Sequence, residues 1–98
     1  METINQDKME NCFDSDFVVK FTFDSKWTKN AIQALGVLGQ LRYYDSFPRP
    51  MFQLTCSDGN IIKGVEGTNE CRVIYARDGS FEVRKRFEKR FEETIYSF

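Results

Sequence analysis

The sequence predicts a two-layer α+β domain, in which one antiparallel sheet of about five strands carries two helices on one face. Several short segments alternate apolar and polar residues, as half-buried strands do, and two segments repeat apolar residues every three or four positions, as amphipathic helices do. Turn-forming residues separate these segments and give the order β-α-β-β-β-β-α. The 98 residues, 41% of them apolar and 30% charged, fit one globular domain.

Charge divides the chain into a predicted flexible arm at residues 1–16 and a folded domain at residues 17–98. In the arm, five acidic residues and one lysine give a net charge of −4, whereas thirteen basic and ten acidic residues give the domain +3. Such an arm either lies over a basic surface of the domain or has no structural role.

The first strand is predicted at Phe17–Phe23, because every second residue from Phe17 is apolar and points to one side. A helix follows, with Asp24, Ser25 and Thr28 as candidate N-caps. Its apolar positions are Trp27, Ala31, Leu35 and Leu38, with Ala34 beside them. We expect Gly36 to allow close approach of the helix to the sheet, and Gly39 to end the helix in the left-handed conformation.

Four strands are expected next, at residues 41–47, 51–56, 61–66 and 71–76. The segment Phe47–Pro50 excludes a helix, because each proline lacks an N–H group and disfavours helix before it. Residues 57–60 and 67–70 contain turn formers and predict two hairpins.

The last segment is predicted to form a helix that starts near Ser80. Its apolar stripe is Val83, Phe87, Phe91, Ile95 and Phe98. Glutamates alternate with the lysines and arginines between residues 82 and 93, which is typical of a solvated face.

The element order over Phe17–Phe98, together with the hairpin Cys56–Gly64, resembles one repeat of the TATA-box-binding protein fold. That repeat is a curved sheet that carries two helices on its convex side. The resemblance is one of topology, and it implies no functional residue at a matching position. A ferredoxin-like sandwich is the alternative architecture; in it the Ile61 segment is a loop and the N-terminal arm supplies a strand.

Missing residue types exclude much of catalysis. The chain has no histidine, which removes the commonest general base and zinc ligand, and it lacks the glycine-rich and nucleophile motifs of nucleotide-binding proteins and hydrolases. Its cysteines, Cys12, Cys56 and Cys71, have no metal-binding spacing. We therefore predict reduced, packed thiols, with a redox pair Cys56/Cys71 as the alternative, and no enzyme activity, cofactor or metal.

The sheet face away from the helices is the candidate binding face. It is expected to carry Lys20, Thr22, Arg42, Tyr44, Gln53, Thr55, Lys63 and Arg72. Basic, aromatic and hydrogen-bonding side chains together are typical of binding surfaces, although strand propensity alone favours similar residues on a solvated face.

The predicted function is a non-catalytic binding domain that acts through this face or through an edge strand, by homodimerisation or by binding a protein partner or a small ligand. Nucleic-acid binding by the basic and aromatic face is the alternative, which the acidic isoelectric point of 5.4 disfavours. The sequence has no apolar run near 18 residues and no secretory signal, so we expect no membrane span and a cytoplasmic location.

Overall fold

One antiparallel sheet organises the structure. A computed structural model of the chain describes residues 1–8, 17–46, 48–76 and 81–98. The elements within these ranges are β1 (Thr3–Lys8), β2 (Phe17–Phe23), α1 (Lys29–Ala34), β3 (Gly39–Tyr44), β4 (Met51–Cys56), β5 (Ile61–Val65), β6 (Glu70–Tyr75) and α2 (Phe81–Ile95). The strands lie in the sheet in the order β1-β2-β6-β5-β4-β3. The predicted class, a small α+β domain with one antiparallel sheet and two helices, is confirmed. The described residues form six strands, one more than expected.

The additional strand is β1, which lies inside the segment predicted as a flexible arm. It pairs with β2 from Thr3, opposite Phe23, to Lys8, opposite Val19, with a register shift between Thr3 and Asn5. Its residues after Thr3 are all exposed. Because an edge strand is held mainly by backbone hydrogen bonds, this segment needs no alternation of apolar residues, and residues 3–8, predicted as part of a flexible arm, form a strand of the sheet. The rest of the predicted arm, residues 9–16, lies outside the described residues.

Two hairpins join the central strands as the turn residues predict. Gly59 and Gly67 lie in these turns with φ angles of 91° and 86°, a conformation that glycine adopts without steric cost. The strand between them, β5, pairs with β4 on one side and with β6 on the other. The ferredoxin-like alternative, which treats this segment as a loop, is therefore wrong at this point.

Thr28 is the N-cap of α1, and its Oγ1 accepts a hydrogen bond from the Ala31 N–H at 3.2 Å. The helix continues as a 3-10 turn at Leu35–Leu38, and β3 follows immediately. Gly39 is thus a strand residue with an extended φ of 166°, so its predicted left-handed conformation is wrong. Gly36 is exposed, and no atom lies within 4 Å of the place a Cβ would occupy, so it does not serve close packing.

Both helices pack on the same face of the sheet. Phe91 of α2 packs edge-on against Phe21 and Phe23 of β2, with ring centroids 5.6 Å and 6.1 Å apart. Trp27, just before α1, packs against Phe52 of β4 at 4.9 Å. The α2 residues Phe87, Phe91 and Ile95 are buried, whereas Val83 and Phe98, predicted in the same stripe, are 36% and 45% exposed. The start predicted at Ser80 lies outside the described residues. The opposite face of the sheet, called the outer face below, carries no described helix.

Candidate functional site

Five of the predicted site residues form one row across the outer face. Directly paired residues of neighbouring antiparallel strands point to the same side of a sheet. The register pairs each member of the row with the next: Lys20 with Arg72, Arg72 with Lys63, Lys63 with Gln53, and Gln53 with Arg42. We call these five residues the cationic row. At about 4.8 Å per strand, its backbone positions span about 19 Å.

The other three predicted residues flank the cationic row. Thr22 lies on one side of it, two positions along β2, and Tyr44 lies on the same side at the other end, where it pairs with Met51. Thr55 lies on the opposite side of the row and pairs with Ile61. The structure thus brings all eight predicted residues to the outer face, although Thr22 and Tyr44 are separated by the width of the sheet.

The row carries positive charge that is only partly balanced. Lys20 lies opposite Asp7 of β1, and its Nζ is 3.9 Å from a carboxylate oxygen of Glu70. Among the described residues, no carboxylate forms a salt bridge with Arg42, Lys63 or Arg72. All three of these side chains are exposed. The centre and the β3 end of the row therefore present positive charge directly to solvent.

Apolar residues lie on both sides of the row. Met51 and Tyr44 are 44% and 40% exposed on one side. Ile61 and Ile74 are paired on the other side, and both are partly buried. Four further residues belong to this face and are not among those predicted from the sequence: Ile61, Ile74, Val65 and Glu70. Strand alternation could have found them, because each lies two positions from Lys63 or Arg72.

A shallow concavity of about 350 Å³ lies beside the centre of the row. Lys63 and Arg72 form one side of it, and Met51, Val65 and Glu70 line much of the rest. Cationic and apolar groups thus meet over a single depression, and the Glu70 carboxylate in its lining lies 3.9 Å from the Lys20 Nζ. A ligand with a negatively charged group and an apolar part matches this chemistry.

The alternative redox pair is wrong, because Cys56 and Cys71 lie too far apart. The strand β5 separates them, and Cys71 is in register with Gly64 and, beyond it, with Phe52, four residues from Cys56. This offset is about 14 Å along the strands, beyond the roughly 7 Å between Cα atoms that a disulfide spans. Burial raises the pKa of the Cys56 thiol to about 12 and raises that of Cys71 as well. The third cysteine, Cys12, lies outside the described residues.

Within the described ranges, no group of three or more cysteines and carboxylates is arranged to hold a metal ion. None of the helices in these ranges has the length and apolar character needed to cross a membrane. No known protein family, curated protein or solved structure matches the chain. The geometry of the outer face is therefore the basis on which a function can be inferred.

Proposed function

We propose that this protein is a non-catalytic binding domain that uses the outer face of its sheet to bind an anionic partner. The cationic row carries the proposal, because the fold places four cations in one line across five strands. Scattered surface charges are common on soluble proteins, but like charges in directly paired positions destabilise a sheet. A negatively charged partner would offset that repulsion on binding.

The surroundings of the row indicate what kind of anion fits. Exposed Tyr44 and Met51 supply apolar contact area next to the charged groups, and the concavity beside Lys63 and Arg72 gives room for a side chain or a small molecule. An acidic protein segment with apolar side chains, or a small anionic ligand, satisfies both features. An acidic segment or a small anionic ligand of this kind is therefore the first candidate partner.

The non-catalytic part of the proposal rests on the available side chains. The chain has no histidine, and both described thiols have raised pKa values that keep them protonated and unreactive near neutral pH. Buried thiols of this kind are also typical of reduced cysteines, in keeping with the proposed cytoplasmic location. The order from β2 to α2 supports a topology like one repeat of the TATA-box-binding protein fold, with β1 as an addition.

Nucleic acid is the second candidate partner, and the linear arrangement of the row favours it. A line of about 19 Å suits several phosphates of an extended strand better than it suits one compact anion. Tyr44 lies beside the β3 end of the row and offers a ring for base stacking. Four phosphate contacts on a single strand predict a slope of about −3 in log K against log salt.

The proposal is tested with two fluorescent probes, an oligoglutamate peptide and a mixed-sequence single-stranded oligonucleotide, at about 50 mM salt, where electrostatic binding is strong. The test variant is Lys63→Glu/Arg72→Glu, which reverses the centre of the row. The matched control is Lys26→Glu/Lys29→Glu, which reverses two exposed lysines near the start of α1, away from the outer face. Fluorescence anisotropy measures affinity, and urea unfolding checks that each variant is folded.

We expect the wild-type protein to bind at least one probe, the outer-face variant to bind it at least about tenfold more weakly, and the control to retain most of the affinity. Preference for the peptide supports an acidic segment or a small anionic ligand as the partner, and preference for the oligonucleotide supports nucleic acid. If the wild-type protein binds neither probe, or both variants lose affinity equally, the outer face is not an anion-binding surface.

A further inference from the structure

We propose that a second copy of this chain pairs with the free edge of β3, antiparallel and about a two-fold axis, with Leu41 opposite Leu41 of the second copy. This inference concerns the edge of the sheet and is independent of what the outer face binds. It makes the protein a homodimer with one continuous sheet.

The two edges of the sheet differ in how they oppose such pairing. Edge strands of monomeric proteins are commonly protected by charges, irregular register or proline. At one edge, β1 has a register shift after Thr3 and carries Asp7 and Lys8. At the other edge, β3 pairs regularly with β4 over its whole length, contains no proline and carries a single charge, Arg42. The β3 edge therefore lacks the protection that β1 has.

Apolar side chains at the β3 edge are incompletely covered. On the helix side of the sheet, Leu41 and Tyr43 are only partly buried, whereas Leu54 and Phe52, their partners on β4, are buried. Val37, in the turn that leads into β3, is 75% exposed. An added strand would cover this apolar surface and pair the free backbone groups, and both effects favour association.

The sequence of β3 is complementary to itself in the proposed register. Centring the pairing on Leu41 places Tyr43 opposite Gly39 of the second copy, where the glycine leaves room beside a ring whose hydroxyl donates to Glu66 at 2.8 Å. The same register places Arg42 opposite Gln40. A neighbouring allowed register, centred on Arg42, would place the two arginines directly opposite each other. Charge therefore disfavours that register relative to the one centred on Leu41.

This pairing also determines how the two binding faces are arranged. The two-fold axis of an antiparallel pair is perpendicular to the sheet, so both outer faces lie on the same side. The Arg42 ends of the two cationic rows then meet at the centre of a twelve-stranded sheet. A long anionic partner could contact both rows at once.

The test uses the exposed position Gln40, where a charge alters the interface and leaves the core unchanged. In the proposed register, Gln40→Glu places a carboxylate opposite Arg42 twice in each dimer, and Gln40→Lys places an ammonium group there twice. We expect the dimer dissociation constant to fall about 2- to 30-fold for Gln40→Glu and to rise by a similar factor for Gln40→Lys. Sedimentation velocity of the full chain, from about 10 μM to 1 mM, measures it.

The control substitutions are Gln6→Glu and Gln6→Lys, which make the same charge changes at an exposed position of β1 and are expected to leave dimerisation unchanged. A wild-type protein that stays monomeric up to about 1 mM overturns the proposal. A dimer that responds equally to changes at positions 6 and 40 overturns the β3 edge, and a dimer weakened by both Gln40 substitutions overturns the register. Failure of the outer face to bind anions would affect none of these outcomes.

Discussion

Lys63 and Arg72 lie directly opposite each other on β5 and β6, with both side chains exposed on the outer face. Arg72 also lies opposite Lys20 on its other side, so three cations occupy adjacent positions in three neighbouring strands. Only Lys20 has a described carboxylate within salt-bridge distance. The centre of the sheet thus has a local repulsion that a protein selected for stability alone would avoid, and the anion binding that we propose would give this repulsion a functional reason.

The first prediction compares two identical substitutions in the cationic row. Arg72→Gln removes two like-charge pairs, and we expect it to raise the free energy of unfolding by about 0.4–2 kcal/mol at low salt, because each such pair costs about 0.2–1 kcal/mol. Arg42→Gln removes a cation whose strand neighbour is Gln53, so we expect no gain. Urea unfolding measures both. Equal effects of the two substitutions would show that repulsion within the row is negligible.

Most of the candidate face could be predicted from the sequence because strand alternation assigns side chains to faces. Once Phe21 and Phe23 are on the buried side, Lys20 and Thr22 must be on the other. Alternation does not give the order of strands in the sheet, so it could not show that Lys20, Arg72 and Lys63 are neighbours. That juxtaposition follows from the placement of β6 between β2 and β5, which depends on long-range pairing.

The second prediction concerns Gly64 in β5, against which the ring of its β4 partner Phe52 packs directly. A Cβ at this position would lie 2.6 Å from Cζ and 2.7 Å from Cε1 of Phe52, a buried ring that has to shift against its packed neighbours to make room. We expect Gly64→Ala to destabilise the protein by about 1–3 kcal/mol. Adding Phe52→Leu should make the combined loss smaller than the sum of the two separate losses.

Gly36→Ala is the matched control, because its Cβ would meet no atom within 4 Å. We expect it to stabilise the protein by about 0.4–1 kcal/mol through the unfolded chain. Thermal or urea unfolding of the single and double variants measures these effects. Strict additivity of Gly64→Ala and Phe52→Leu would contradict the contact.

The structure differs from the prediction at Gly39 and at β1, and both differences arise from contacts between residues that are distant in the sequence. Gly39 does follow the helical segment, as predicted, but a different interaction requires glycine there: a Cβ would lie 2.7 Å from the Cys56 Cα, so the glycine permits close approach of β3 to β4. Strand β1 has no apolar alternation to reveal it. The backbone N–H of Glu2 donates to the Asp24 carboxylate at 2.8 Å, and the N–H of Asp24 donates to the Glu2 carbonyl at 3.0 Å. Such contacts between distant residues leave no periodic signal.

The third prediction concerns Glu92, a partly buried carboxylate on α2. Burial, together with the negative charge of Glu88, raises its pKa. A raised pKa means that the folded protein disfavours the ionised form, so near pH 7 the charge lowers stability. We expect Glu92→Gln to stabilise the protein at pH 7, and the gain to disappear as the pH falls below about 4, where the wild-type carboxyl is protonated in both states.

Urea unfolding at pH 7 and at about pH 3.5 measures the effect, and Glu93→Gln is the control at the exposed neighbouring position. The control should not reproduce the pH-dependent gain. A loss of stability in Glu92→Gln at pH 7 would indicate that the carboxylate makes a favourable interaction that outweighs its burial.

The last prediction concerns Tyr75, whose hydroxyl donates a hydrogen bond of 2.7 Å to the carboxylate of Glu88 on α2. Burial, and then this hydrogen bond, raise the pKa of the phenol. Below pH 10, the ordinary tyrosine pKa, the phenol is protonated in both states, so Tyr75 contributes its full stabilisation. Above pH 10 the phenol loses its proton only in the unfolded chain, so the free energy of unfolding falls as the pH rises.

We expect Tyr75→Phe to be less stable than the wild-type protein at pH 7 by about 1–2 kcal/mol, because Glu88 loses its shorter hydrogen bond and keeps only the 3.4 Å contact from Lys85 among those described. Between about pH 10 and 11 its stability should fall less steeply with pH. The Cys56 and Cys71 thiols, whose pKa values are also raised, lower stability from about pH 9 in both proteins and do not account for the difference. Urea unfolding from pH 8 to about 11 measures the slopes, with Tyr96→Phe, at a 67% exposed position, as the control. Identical slopes for Tyr75→Phe and the wild-type protein would mean that the phenol does not remain protonated in the folded state.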